Sequence, residues 1–367
     1  MLKVWAQFGK EWKQFRRDPL SMWLAVLMPV VMVLLFGFTL SLDPDSLRII
    51  IQDHDDTSLS RRYVEGYVGA ADFAFVPWGI DRSPEEALET NVAEIVLIIP
   101  PGFERDLRSG RPSVAQALID GTDANTALIL RQTTAALNAA FLARENPPMA
   151  PPVDARIRYW YNPGLSDRRY FGAGALGMVL IFFPALLGAI ATSREHELGT
   201  VIQAYASTLT PGEWVLGTAL PYIAIGVAEL ICGYLAGAFA FGYDLPPDPS
   251  AFVAASVGYI AIGVLFGMWV GHATRSQSIS IQAVQLGVFL LSLLLSGFLA
   301  PLENVPVQIR WMSWFIPARY YVEVVRDALL RQGGWASNGF EVAVLTFLAG
   351  LSFLAAWAQI RKMRFAD

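Results

Sequence analysis

The chain has little of what most site chemistry needs. Its 367 residues include one cysteine, Cys232, set inside an apolar run, so neither an intrachain disulfide nor a cysteine-based zinc site can form. Three histidines, His54, His196 and His272, are scattered and show no H-E-x-x-H spacing, which argues against a metal enzyme. Only 16% of the residues are charged, against 54% hydrophobic, where an ordinary soluble chain is about one-quarter charged. The formal charge of -5 and the lack of a basic face argue against nucleic acid as a partner. The nucleotide cradle G-x-x-x-x-G-K-[ST] is missing too: the one Gly-Lys pair, Gly9-Lys10, is followed by Glu11 and has no upstream glycine. The chain is therefore expected to bind no cofactor and to carry no ATPase site.

Long apolar runs are what the chain does have. Residues 20–42 hold no ionisable side chain, and about 20 helical residues cross a bilayer core. The length of this run and the basic segment before it predict an uncleaved first span, not a secretory signal. Further spans are predicted at Phe171–Thr192, Trp214–Phe241, Ala251–Gly271, Ile279–Leu302 and Phe340–Ile360. Six spans put both termini on one side. Lys3, Lys10, Lys13, Arg16 and Arg17 precede the first span, and Arg361, Lys362 and Arg364 follow the last, so the positive-inside bias makes both ends cytoplasmic. Arg194 and Arg275 agree, whereas segment 303–339, placed outside, carries Arg310, Arg319, Arg326 and Arg331. It is read as an amphipathic helix at the outer surface, with Trp311, Trp314, Tyr320 and Tyr321 in the headgroup zone.

Two segments lie off the spans. Residues 1–19 place Val4, Phe8, Trp12 and Phe15 at helical spacing among basic residues, the pattern of a helix lying on an anionic leaflet; Pro19 then disfavours helix at Asp18. Residues 43–170 are polar enough to fold as a domain. Strands are predicted at Leu47–Gln52, Phe73–Trp78, Ile95–Ile99, Val114–Ile119 and Ile157–Tyr161, alternating with helices at Ser58–Gly69, Pro84–Asn91, Phe103–Leu107 and Ala124–Leu142, followed by a proline-rich Asn146–Pro152. The fold class is thus a six-span α-helical membrane protein with an external α/β domain inserted between spans one and two. Asp53-His54-Asp55-Asp56 and Asp120-Gly121-Thr122-Asp123 are read as turns and helix caps in preference to metal ligands.

Two places invite a functional reading. Residues 193–213, joining spans two and three, carry the charged run Arg194-Glu195-His196-Glu197 before Gly199-Thr200; the run serves either as a solvated connector or as an element that transmits force. Glu229 stands near the middle of span three, where an ionisable group is costly. It either lines a substrate path or a dimer interface, or is a protonated carboxyl satisfied by a neighbouring helix. Pro29, Pro184 and Pro221 lie within spans and are read as kinks.

The element Arg194-Glu195-x-Glu197-x-Gly199-Thr200 resembles the R-E-x-E-x-G-T element of permeases in the type-two export branch of the ATP-binding-cassette (ABC) transporters, the multidrug-efflux-like group with a large external domain. Arg17-Asp18-Pro19, Ile99-Pro100-Pro101-Gly102-Phe103 with Asp106-Leu107, Asp120-Gly121-Thr122-Asp123, Tyr159-Trp160-Tyr161-Asn162-Pro163 and Ile316-Pro317-Ala318-Arg319-Tyr320 with Arg326 are similar as well, so the likeness runs end to end. It implies a coupling element at Arg194, Glu195, His196, Glu197, Gly199 and Thr200 that seats on a separate ATP-binding subunit. It also implies a second permease, identical or sibling, a hydrophobic or amphipathic cargo, and in Gram-negative relatives a periplasmic adaptor. Val201-Ile202-Gln203 depart from the family's bulky residue and glutamate after Gly-Thr. Two rivals remain: a receptor or scaffold with an external ligand-binding domain, and a proton-coupled carrier using Glu229.

Overall fold

The computed structural model describes residues 2–40, 47–70, 73–90, 92–111, 113–120, 124–145, 167–202, 207–299, 302 and 305–362. The Tyr159–Pro163 stretch, the strand predicted at Ile157–Tyr161, Gly121–Asp123, Asn146–Pro152 and Gln203 lie outside them. The chain forms two compact units, Leu42–Arg158 and the remainder, Met1–Ser41 with Tyr159–Asp367.

The Leu42–Arg158 unit is built on a four-stranded sheet, β1 (Leu47–Asp53), β2 (Phe73–Phe75), β3 (Ile95–Ile99) and β4 (Gln116–Ile119), in the order β2-β1-β3-β4. β1 runs parallel to both neighbours and β3 antiparallel to β4. Successive strand residues face opposite ways, and β1 obeys this closely. Ile49 and Ile51 pack with Tyr63, Tyr67, Phe103, Leu130 and Phe141, while Ile50 packs with Ala87 and Val96 on the other face. The helices of this unit are α3 (Ser58–Val68), α4 (Pro84–Glu89), α5 (Phe103–Arg108) and α6 (Ala124–Glu145). The acidic cluster after β1 does turn and cap work. Asp53 accepts from the Asp55 and Asp56 amides at 3.0 and 3.1 Å, and Thr57 caps α3. Asp55 reaches across to accept from the Gly102 and Glu104 amides at 2.6 and 3.0 Å. It thereby satisfies the start of α5, whose own N-cap, Gly102, has no side chain to do so.

The other unit is helical. α1 (Leu2–Arg16) and α2 (Pro19–Thr39) precede the sheet; α7 (Asp167–Glu197), α8 (Pro211–Phe241), α9 (Ser250–Thr274), α10 (Gln277–Leu295), α11 (Pro317–Arg326) and α12 (Trp335–Lys362) follow it. Among the described residues five helices are long and apolar enough to cross a membrane, namely α7 to α10 and α12, and α2 adds a shorter apolar stretch, Ala25–Thr39. α10 contains a π-helical turn at Gln285–Leu290 and stops at Leu295, short of the predicted Leu302, where Gly297 takes a left-handed φ of 79°. The central contact is α7 against α9. It depends on glycine: Gly263, Gly267 and Gly271 recur every fourth residue on α9. A Cβ at Gly267 would collide with the Ala185 carbonyl, and one at Gly263 would stand 2.9 Å from the Ile181 carbonyl. Small residues let membrane helices approach to backbone contact.

Two expectations are corrected here. Segment 303–339 is not one surface helix: a short helix, Val307–Arg310, and a 3-10 turn, Trp311–Phe315, lead into α11, and a π turn, Asp327–Arg331, leads out. Trp311 and Trp314 are exposed, but Tyr320 and Tyr321 are core residues. Tyr321 stacks on Tyr259 with ring centroids 4.2 Å apart and shares a 2.8 Å hydrogen bond with Ser256. An amphipathic period says that one face is apolar, not whether lipid or protein covers it. The second correction concerns 193–213: Ser193–Glu197 are the last turn of α7 and not loop, because no glycine or proline intervenes before Gly199, whose φ of 68° ends the helix.

Candidate functional site

The close approach of α7 and α9 fixes their ends side by side. Thr192 marks the junction, its hydroxyl donating within reach of the Gly188 carbonyl on α7 at 3.0 Å and the Met268 carbonyl on α9 at 3.3 Å. One turn further, the last turn of α7 fans out, and each of its four polar side chains meets a different element. Arg194 pairs with Asp18 at 2.8 Å, at the break between α1 and α2. Glu195 pairs with Lys10 of α1. His196 Nε2 shares a 2.6 Å hydrogen bond with His272 Nδ1 at the end of α9. Glu197 accepts from the Gln277 backbone amide at 2.7 Å and from its side chain, at the start of α10. Gln277 is delivered there by Arg275, whose left-handed φ of 55° turns the chain out of α9. Thr200 folds back to donate to the Glu195 carbonyl at 3.3 Å.

α8 joins the same hub. Its start is set by a capping box in which Thr210 and Glu213 exchange hydrogen bonds of 3.3 and 2.9 Å, with Pro211 in the first turn. The face that follows carries Trp214, 5.1 Å from His272 by ring centroid, then Thr218 and Tyr222. Gln7 donates to Thr218 at 3.1 Å and to Glu11 at 3.0 Å, and Tyr222 donates to the other Glu11 oxygen at 3.3 Å. Thus α1 turns its polar residues, Gln7 and Glu11, into the protein. Its aromatic row Trp5, Phe8, Trp12 and Phe15 makes successive ring contacts, edge-on between Trp5 and Phe8 and stacked between Phe8 and Trp12, and ends edge-on against Tyr222.

Burial and the neighbouring Glu195 carboxylate push the Glu11 carboxyl up to about 7, against the opposing pull of Lys10. Burial opposes the Lys10 charge, but Glu195 and Glu11 outweigh it and hold the ammonium above its usual range. An open cavity of about 610 Å³ beside this network is lined by Lys10, Lys13, Arg17, Asp18 and Arg194.

With the charged side chains turned inward, the apolar tip faces out: Leu198 is 67% exposed and Ile202 63%, while Val201 is buried. The structure therefore brings Arg194, Glu195, His196, Glu197 and Thr200 into one hub, with Gly199 supplying the turn. Glu229 is not part of it. It lies on α8 two turns beyond Tyr222, about 10 Å along the axis at 1.5 Å per residue. It is 1% exposed, and neither carboxylate oxygen has a hydrogen-bond partner among the described residues. Glu11, Trp214, His272 and Gln277 are hub residues to which the sequence alone gave no such role; Lys10 was marked there only as a positive-inside charge, and Asp18 only as part of the Arg17-Asp18-Pro19 stretch. Their only local signal is polarity at the ends of apolar helices.

Residues 20–358 match the ABC-2 family transporter protein domain. The chain belongs to the ABC-2 transporter family. It is 25% identical over 374 residues to YbhR of Escherichia coli strain K12, named a probable multidrug ABC transporter permease, with 98% of each chain covered. To YbhS of the same strain, with the same naming, it is 25% identical over 89% of this chain and 88% of that one. The linearmycin resistance permease protein LnrN of Bacillus subtilis strain 168 is 23% identical over 97% of this chain and all of its own. This ABC-2 chain is accordingly a multi-pass membrane protein with the role of an ABC transporter permease.

Proposed function

We propose that this ABC-2 permease is the membrane-spanning half of an ATP-driven exporter of hydrophobic or amphipathic, drug-like compounds, working with a separate ATP-binding subunit and a second permease, identical or sibling. The observation that carries this reading is the last turn of α7. Its charged side chains clamp α1, α2, α9 and α10 while Leu198 and Ile202 stand bare beyond them, so a push on that tip is delivered to four elements at once. We place the tip and both termini on the cytoplasmic side of the inner membrane, count α2 as a sixth span, and put the Leu42–Arg158 unit outside, where it is available to a periplasmic adaptor. ATP-driven closure of the partner subunits would draw the two tips together and rock the spans in alternating access.

Glu229 is assigned to the cycle itself. A buried carboxyl with no partner lowers stability, and its retention is accounted for if rearrangement of the helices brings it a partner or cargo.

One efflux assay tests these statements together. In cells loaded with a lipophilic dye, efflux should stop when ATP is depleted and persist when a protonophore collapses the proton gradient, and tagged chain should copurify with a nucleotide-hydrolysing protein. Glu229→Gln should reduce efflux at least about tenfold at unchanged expression, the loss of an interaction of about 1.4 kcal/mol or more. Efflux that follows the proton gradient in place of ATP would assign the chain to proton-coupled carriers; no efflux and no ATPase would leave a receptor or scaffold.

A further inference from the structure

The arginines of segment 303–339 break the charge bias that the chain's ends and the 242–250 loop follow, and the structure gathers them. Arg310, Arg319, Arg326 and Arg331 all line one cavity of about 800 Å³, together with Tyr170, Trp314, Val322 and Leu330. That volume is within the range of small-molecule sites. Tyr170 stands near the start of α7 and Glu195 near its end, roughly 38 Å apart at 1.5 Å per residue, which exceeds the ~30 Å hydrocarbon core. The cavity therefore opens at the membrane interface opposite the hub.

Its chemistry is graded. Arg326 is fixed at the deep end, donating to the Gly297 and Phe298 carbonyls at 2.8 and 2.9 Å, with its guanidinium 3.6 Å from the Tyr170 ring centroid. Its Nε is buried without a hydrogen-bond partner among the described residues. Arg319 lies 4.1 Å over the Trp314 ring and donates to Ser313 at 2.6 Å. Arg331 is 3.9 Å from Asp327, a long pair, and its side chain is 64% exposed. Two acids also line the cavity. Asp327 is occupied by Ser337 and Asn338 at 2.6 and 2.7 Å, and burial together with nearby Glu341 raises the Glu323 carboxyl, against Arg319 and Arg331. Among the described residues the cavity thus holds four guanidinium groups, of which Arg310 also donates to the Val305 carbonyl at 3.0 Å, and two acids, one of them already hydrogen-bonded elsewhere. Arginine matches phosphate oxygens in a planar fork. Val322, Leu330 and Leu302 make the remaining wall apolar, and Trp311 and Phe315 stand exposed beside it, as aromatic residues do at the headgroup level.

We propose that this cavity binds the phosphate headgroup of an anionic phospholipid, its guanidinium cluster holding the phosphate and its apolar wall the start of the acyl chains. The phosphate could come from a membrane lipid or from free phosphate. The apolar wall and aromatic rim favour the lipid. Its assignment to the outer leaflet rests on the orientation proposed above; the binding itself does not.

The test uses the full chain purified in detergent, with no ATPase present, so that its failure is distinct from failure of the exporter reading. A photoreactive phosphatidylglycerol should label the peptide spanning 305–331 at least tenfold more than a photoreactive phosphatidylcholine of the same chains. Excess unlabelled phosphatidylglycerol should displace it, and inorganic phosphate at the same concentration should not. In native mass spectrometry R319Q/R331Q should lose at least tenfold in phosphatidylglycerol affinity, and R319K/R331K, which keeps the charge without the planar fork, should lose less than the glutamine pair; the basic α1 is untouched in both. Equal labelling by the two lipids, label confined to other peptides, or undiminished binding by the glutamine pair overturns the proposal. Displacement by inorganic phosphate overturns it in favour of a free-anion site. The wild-type labelling pattern decides the matter even if the glutamine pair fails to fold.

Discussion

At the scale of single residues, one part of the hub is a balance between the Lys10 cation and two carboxyls that share it. Lys10 contacts both Glu195 and Glu11, and Glu11, 1% exposed, is the group that gives way, its carboxyl raised from 4.5 to about 7. A carboxyl raised on folding means that the native state holds more protons than the unfolded chain between those values. Its contribution is therefore full below about pH 4.5 and is lost as pH rises through 7. Thermal denaturation of the detergent-solubilised chain should show this loss, and Glu11→Gln, whose oxygen can still accept from Gln7 while its NH2 donates to the Tyr222 hydroxyl, should flatten the profile over that window and raise Tm above pH 7. A wild-type profile that is already flat, or a variant that keeps the slope, would show that Glu11 is ionised throughout. The residues of this network were only half legible in the sequence. Arg194–Thr200 stood out because charge beside a long apolar run is conspicuous. Lys10 and His272 did not, and Asp18 showed only as part of a family-like stretch, because what makes them matter is contact with residues more than 70 positions away. Glu229 was visible at once as a charge at membrane depth, but that both its oxygens lack partners is a fact of packing.

At the scale of elements, α7 and α9 behave as one rigid pair because their backbones touch along Gly263, Gly267 and Gly271. A larger side chain there must separate the helices and carry His272 away from His196. Gly267→Leu should cost on the order of 1–3 kcal/mol, as overpacking commonly does, seen as a lower Tm with a weakened response of transport to ATP. Gly287, where an added Cβ would meet no other part of the protein within 4 Å, is the control: Gly287→Leu should be nearly silent in Tm. Equal effects at the two positions would mean that the glycine contact is not what joins the helices. Most element positions could be read from the sequence. Unbroken apolar runs mark α7 to α9 and α12 within a few residues, and alternating apolar runs mark β1, β3 and β4. β2 stops at Phe75, short of the predicted Trp78, since Trp78 is used for packing under α4. Tyr320 and Tyr321 were misplaced because a residue suited to the headgroup zone is equally suited to a buried helix contact once its hydroxyl finds Trp314 O or Ser256.

At the scale of the whole molecule, a polar network at one end of the bundle and an arginine-lined cavity at the other are joined by the length of α7, with Glu229 between them on α8. In the cycle proposed above, a driven motion at the hub becomes a change along the spans. Membership of the ABC-2 family implies an ATP-binding partner subunit, and the reading proposed above makes that subunit the driver and the exposed pair Leu198 and Ile202 its contact. The deciding measurement is site-specific photocrosslinking in intact cells, with the photoreactive residue placed at Leu198 or, as the opposite-end control, at Trp311. The account predicts that Leu198 captures a nucleotide-hydrolysing protein and that Trp311 does not. Capture of that protein from Trp311, or a Leu198 position that only a membrane-impermeant reagent added from outside can reach, would contradict it.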